Sequence, residues 1–195
     1  LAEGSGGTST NMNFNEVIAN RAGQILGDPL GSYKRINPND HINMSQSTND
    51  VIPTAVKLAC VSGAEPLMNA ATQLVKAFRA KADEYRSVLR LGRTCMQAAQ
   101  PMTYGQLFDG YAATLERAVE HLNVARTGLQ AVPMGGTAIG TGLGAVLGYH
   151  DHIGTTLSEE FGITITLPDD YFDAMQAADG FSRFSGELNI LSETI

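Results

Sequence analysis

Cysteine is scarce in this chain, with Cys60 and Cys95 the two thiols in 195 residues. Two cysteines cannot staple a disulfide-dependent scaffold, and they fit a reducing cytosol, so a cytoplasmic protein is expected. Basic residues are also short: 13 Lys and Arg stand against 20 Asp and Glu, giving a net charge of -7 and a pI near 5.0. Scattered as they are, they form no basic face, which excludes nucleic acid as a partner. No unbroken apolar run approaches the roughly 18 residues that cross a bilayer, and no secretory signal is visible, so no membrane partner is expected. Strand-type alternation is nearly missing, "ITITL" from Ile163 to Leu167 being the one convincing example. Internal repeats, low-complexity tracts and linkers are absent from the sequence, and one domain over residues 1–195 follows.

What the chain does have is helical periodicity. Leu67, Ala71, Leu74, Val75, Phe78, Ala82 and Tyr85 fall on one face, with Lys76, Arg79, Lys81 and Glu84 opposite. That spacing predicts a long helix, starting near Asp50 to Pro53 and bent at Gly63 or Pro66. A second run, Phe108, Tyr111, Ala112, Leu115, Val119, Leu122, Ala125 and Leu129, lies between Pro101 and Pro133, and a shorter helix is expected from Asp151 to Phe161. With 43% hydrophobic and 17% charged residues, the reading is an all-α, long-helix bundle. The sequence starts at Leu1 without Met, and the periodic residues Phe181, Phe184, Leu188 and Leu191 run to Ile195 without a stop signal, which reads as a piece of a longer protein.

Four loops rich in Gly, Thr, Ser and Asn separate these helices: Gly4 to Asn13, Asn37 to Asp50, Gly92 to Gln106 and Gly135 to Gly144. The second contains five side-chain amides, Asn37, Asn39, Asn43, Gln46 and Asn49. Ser47, Thr48 and Asn49 are expected immediately before a helix, where unpaired N–H groups and the positive end of the macrodipole can hold a carboxylate without Lys or Arg. The competing reading is plain N-capping. Four such loops in one helical chain favour an anion cradle.

Other patterns carry less. "GTGLGA", Gly140 to Ala145, matches a dinucleotide fingerprint but follows a helix with no βαβ unit around it. His150 and His152 point to different helix faces and lack a third ligand, so they read as solvated helix-start residues and no metal is expected. Cys95 has no nearby His in sequence and reads as a small packed thiol. Met12, Met44, Met96, Met102 and Met134 read as packing residues, and Asp109 with Glu116 as a solvated face. No cofactor is expected.

"GTSTNMNFNEVIANRA", "NPNDHINMSQSTNDVIPTA", "GRTCMQAAQPMTYGQ" and "GGTAIGTGL", in that order, resemble the aspartase/fumarase superfamily, which holds aspartate ammonia-lyases and class II fumarases. The resemblance spans almost the whole chain. It implies a long central helical bundle that forms homotetramers, of which residues 1–195 would be a fragment lacking both ends, with active sites built from three chains. Gly6, Gly7 and Thr8 match the family's first substrate loop, Ser47, Thr48 and Asn49 the second, and Thr94 with Cys95 the third. Asn37, Pro38, Asn39 and Asp40 fall where fumarases carry a secondary dicarboxylate site. The implied reaction is anti elimination from a small succinyl-type dicarboxylate, in which charge develops on one carboxylate as a proton leaves the adjacent carbon; directed N–H and O–H donors stabilise that charge.

Two features depart from the family pattern. Cys95 stands where many members have the His that assists the fumarase leaving group; a thiol is a weak hydrogen-bond partner, and aspartate ammonia-lyase becomes the expected activity over fumarase. Asn37 in place of His and "STN" in place of "SSN" point the same way. The family's mobile loop, which supplies the base serine and a substrate-binding lysine, is missing: no Ser-Ser dipeptide occurs in the sequence. No catalytic base is therefore expected within these residues, truncation is the expected cause, and the chain alone is expected to be inactive. A non-catalytic helical oligomerisation fragment is the reading from another class.

Overall fold

A computed structural model of the chain describes residues 6–195. Gly4 and Ser5, at the start of the first expected loop, lie outside the described residues. The elements are α1 (Thr8–Ile25), a π-helical turn (Pro38–Ile42), α2 (Thr48–Glu84), β1 (Leu89–Thr94), β2 (Gln97–Thr103), α3 (Tyr104–Gly128), α4 (Tyr149–Phe161), α5 (Tyr171–Gln176) and α6 (Asp179–Thr194). They divide into two compact units: residues up to Ala59 together with Gln130–Ala177, and Cys60–Leu129 together with Ala178–Ile195.

α2 is one helix of 37 residues, about 55 Å at 1.5 Å per residue. It stays helical through Gly63 and Pro66, where the sequence predicted a bend. Pro66 removes one backbone donor, and the buried residues Val61, Ala64, Ala71 and Val75 on either side keep the helix packed across the gap. By length and composition alone the most apolar window of α2, mean hydropathy 1.2, would suit a membrane span. In this fold α2 also carries buried Asp50, Thr54 and Lys57.

In the second unit, α3 opens on a capping box: Thr103 Oγ1 accepts from the Gln106 N–H at 3.1 Å and the Gln106 side chain accepts from the Thr103 N–H at 2.9 Å. Its buried stripe is Ala112, Leu115, Ala118, Leu122, Ala125 and Leu129, spaced by three and four. α6 packs on α3 and buries Phe184 and Leu191. Leu122 and Leu129 are fully buried, each worth about 1.5–3 kcal/mol of burial. Asp109 and Glu116 are not merely solvated: Arg79 of α2 reaches Asp109 at 2.8 Å and Glu116 at 2.6 Å, and Arg86 also pairs with Asp109. Hydrogen bonds from Arg79, then Arg86, hold the Asp109 carboxyl below its usual range.

The segment Gly92 to Gln106, expected as a loop, is mostly an antiparallel hairpin of β1 and β2. Thr94 pairs with Gln97, leaving Cys95 and Met96 as a two-residue turn with φ of 47° and 60°. Two successive positive φ values are what a type I′ turn requires, normally supplied by Asn-Gly. Cys-Met hides that signal. "ITITL" forms only an isolated parallel bridge, Thr166 N–H to Gln130 O at 3.0 Å and Val132 N–H to Thr166 O at 2.9 Å. Its alternation is nevertheless used: Ile165 is buried with Leu58, Val132 and Met134 in the core of the first unit, and Ile163 and Leu167 pack against it beside Ile153 and Leu157 of α4.

Candidate functional site

In the first unit the N-termini of α1 and α2 come together. α1 begins at Thr8, so the expected loop Gly4 to Asn13 is helical over its second half. Gly7 is its N-cap, in extended conformation and with no side chain to cap the first turn. Gly6, at φ 80°, donates its N–H to Thr10 Oγ1 at 3.1 Å, and a Cβ placed on it would sit 3.9 Å from Ile52 Cγ2 in the first turn of α2. Thr8 is exposed. Asn and Thr are poor helix formers, but here the buried side chains of Asn11 and Asn15 both donate to Asn43 Oδ1, at 3.1 and 3.0 Å, tying α1 to the segment that leads into α2.

Ser47 precedes α2 by one residue, and its hydroxyl accepts from the Asn49 N–H at 3.3 Å. Thr48 and Asn49 thus lie inside the first turn rather than ahead of it, because Asp50 completes the cap: its Oδ1 accepts the Ser47 N–H at 2.9 Å. Asn49 is exposed and donates one amide hydrogen to the Ala138 carbonyl at 2.8 Å. Beside it opens a cavity of about 330 Å³ bounded by Ala138, Ile139, Phe172, Met175 and Gln176. The glycine-rich segment after Pro133 is clamped to the same helix end, since Asp50 Oδ2 accepts the N–H groups of Gly135 at 3.2 Å and Thr137 at 2.9 Å. The backbone at Gly136 is closely approached: a Cβ there would meet Met175 Sδ at 2.4 Å and Tyr171 Cδ1 at 3.0 Å, so those side chains would have to shift.

Asp50 has no exposed surface. Burial pushes its carboxyl above the usual value, opposed by the N–H groups of Ser47, Thr137 and Gly135. Burial, then the Asp50 charge, then Tyr171 push the Tyr149 phenol up to about 12, and burial with Asp50 raises that of Tyr171. The Tyr149 hydroxyl is buried with no hydrogen-bond partner among the described residues. His150 is more than a solvated helix-start residue: its Nε2 donates to the Gly135 carbonyl at 2.8 Å and its ring meets Tyr171 edge-on, with centroids 5.7 Å apart.

The structure thus gathers Gly6, Gly7, Thr8, Ser47, Thr48 and Asn49 in one unit. Thr94 and Cys95 belong to the other, at the hairpin turn, with Cys95 exposed rather than packed. Asn37, Pro38, Asn39 and Asp40 build the π-helical turn: Asn37 Oδ1 accepts from Asn39 N–H at 2.8 Å and Asp40 N–H at 3.1 Å, and Pro38 is buried. The sequence alone does not mark Asp50, Thr137 or His150 as partners; the structure joins them through hydrogen bonds at Gly135 and Thr137. Ser47 and Asp50, three apart ahead of an apolar run, are a capping-box pattern that signals the first; nothing local signals that the same carboxylate reaches Gly135 and Thr137.

A family model described as "Lyase" matches residues 1–195. The chain is 40% identical over 190 residues to the class II fumarate hydratase of Caulobacter vibrioides, covering 97% of this chain and 41% of that protein. It is 40% identical over 188 residues to the aspartate ammonia-lyase of Bacillus subtilis, covering 96% and 40%. Among solved structures, a fumarate lyase:delta crystallin from Brucella melitensis aligns with a TM-score of 0.93 at 42% identity, over 99% of this chain and 42% of that one. A class II fumarase from Schistosoma mansoni aligns at 0.91 with 29% identity, over 97% and 43%. The chain spans about two-fifths of the length of the curated relatives it matches. With four loop motifs in order, a helical fold shared at this level and a model matched end to end, the chain belongs to the lyase family of the aspartase/fumarase superfamily.

Proposed function

We propose that the full-length protein is a lyase acting on L-aspartate, releasing ammonia and leaving fumarate by anti elimination. The observation that carries this reading is the convergence in one unit of two helix N-termini, the exposed Asn49 and a glycine-rich segment clamped by Asp50. N–H, amide and hydroxyl donors at such a place suit a carboxylate and the charge that builds on it as the adjacent proton leaves. In this reading Gly6, Gly7, Thr8, Ser47, Thr48, Asn49, Thr94 and Cys95 bind substrate from different copies of a homotetramer, and Asn37, Pro38, Asn39 and Asp40 form a secondary dicarboxylate site.

The choice of L-aspartate rests on Cys95, a thiol where the family resemblance puts the leaving-group histidine of fumarases. A second reading, hydration of fumarate to malate, draws support from relatives named class II fumarate hydratase, which stand at 40% and 41% identity beside the 40% of the aspartate ammonia-lyase. The two separate in one assay of the full-length protein. Incubation with L-aspartate should raise the ultraviolet absorbance of fumarate, and incubation with fumarate in water should consume it poorly. Efficient malate formation without ammonia release reverses the order. Inactivity on all of these dicarboxylates by a folded, tetrameric protein leaves the non-catalytic oligomerisation module.

A further inference from the structure

Asp50 is a fully buried carboxylate to which substrate binding as proposed gives no part. It sits between two backbone segments and accepts from both: Oδ1 takes the Ser47 N–H at 2.9 Å, and Oδ2 takes those of Gly135 at 3.2 Å and Thr137 at 2.9 Å. Donors approach both oxygens, so only an acceptor-only group satisfies them; a carboxamide would turn its NH₂ towards one N–H or the other pair. Thr137 is held at φ 57°, a conformation costly for a β-branched residue, and its N–H is one of the three bonded groups. One residue on, the Ala138 carbonyl accepts from the Asn49 side chain at 2.8 Å. Neighbouring residues of one helix turn therefore grip the same loop in opposite polarity, Asp50 accepting from Thr137 and Asn49 donating to Ala138.

We propose that Asp50 is a positioning residue: by bolting Gly135–Thr137 to the start of α2 it fixes the Ala138 carbonyl, and through it the Asn49 carboxamide, leaving the second amide hydrogen and Oδ1 of Asn49 directed at substrate. This assignment rests on the dicarboxylate-lyase reading. It requires that Asp50 act through Asn49, and that requirement separates it from a general packing role.

The test is a double-mutant cycle in the full-length enzyme, with kcat and KM for the active dicarboxylate and backbone hydrogen exchange measured side by side. Asp50→Asn, nearly isosteric, is expected to lower kcat by about 100-fold, the scale of a misplaced catalytic donor, with a smaller change in KM. In an Asn49→Ala background the same change should lower kcat by no more than about threefold further, since the group it positions is gone. Full multiplicative losses in the double variant overturn the assignment, as does Asp50→Asn turnover within about twofold of wild type. If Asp50→Asn does not fold, wild-type exchange decides: the Gly135 and Thr137 amides should be protected to the level of the first turn of α2, and exchange at exposed-loop rates overturns the proposal. Wild-type inactivity on L-aspartate, malate and fumarate overturns the lyase reading and this assignment with it, whereas failure of the cycle in an active enzyme sinks this assignment alone.

Discussion

Asn49→Ala separates a substrate-binding amide from a mere loop tie, because the two roles differ in size. In the structure Asn49 is exposed and makes one side-chain hydrogen bond, to the Ala138 carbonyl at 2.8 Å. A bond of that kind contributes about 0.5–1.5 kcal/mol net. Against a typical domain stability of about 5–15 kcal/mol, its loss leaves well over 99% of molecules folded, with Tm lower by a few degrees. If the remaining N–H donates to a substrate carboxylate whose charge grows in the transition state, removing it costs about 2.7–4 kcal/mol of activation energy, or about 100- to 1,000-fold in kcat. A folding defect cannot imitate that drop. Measured in the full-length protein by fumarate absorbance with L-aspartate, beside a thermal melt, the variant is expected to melt within about 5 °C of wild type and to turn over at about 1% or less. Turnover within twofold of wild type refutes the substrate role and leaves Asn49 as a tie between α2 and the loop.

Tyr149→Phe is expected to stabilise the protein by about 1 kcal/mol at neutral pH, because it removes a buried hydroxyl that has no partner among the described residues; a destabilisation of that size in a denaturant melt would mean that the hydroxyl is satisfied. The same residue sets an alkaline slope. Its phenol titrates at about 12 in the fold against about 10 unfolded, so between these values the folded chain keeps a proton the unfolded chain has lost, and stability falls as pH rises from 10 to 12. Screened at a half-buried site, the effect is about 1 kcal/mol, and Tyr149→Phe should lack it in urea melts across that range. The 195-residue chain on its own should give no fumarate signal with L-aspartate, since the serine base and the lysine of the family's mobile loop are not in its sequence. It should also run as oligomers on a sizing column, because Phe14, Val17, Ile18 and Ile25 leave one side of α1 apolar and exposed. Turnover above the buffer blank would mean that a residue within these 195 acts as the base.

The parts of the fold legible in the sequence are those set by local periodicity. The stripe from Ala112 to Leu129 and the pair Ile153 and Leu157 were visible at steps of three and four because long helices bury one face, and that face is where these residues lie. The hairpin is not legible, because its turn residues, Cys95 and Met96, are left-handed against their own preference, and the short Leu-Arg-Leu alternation of β1 leaves Leu89 and Leu91 exposed, so it marks no buried face. For α1, Asn11 reads as part of the loop Gly4 to Asn13 until Asn43, 32 positions away, supplies the oxygen to which it and Asn15 both donate. The candidate site divides the same way. Ser47, Thr48 and Asn49 could be placed at a helix start from their own chemistry, whereas the residue that joins this start to the glycine-rich segment acts across 85 and 87 positions. Its carboxylate is costly to bury, and Asp50 is tolerated there because three backbone donors converge on it. A local reading assigns such a residue to the cap it completes, which is half of what it does; the other half exists only once the chain has folded the second set of donors onto it.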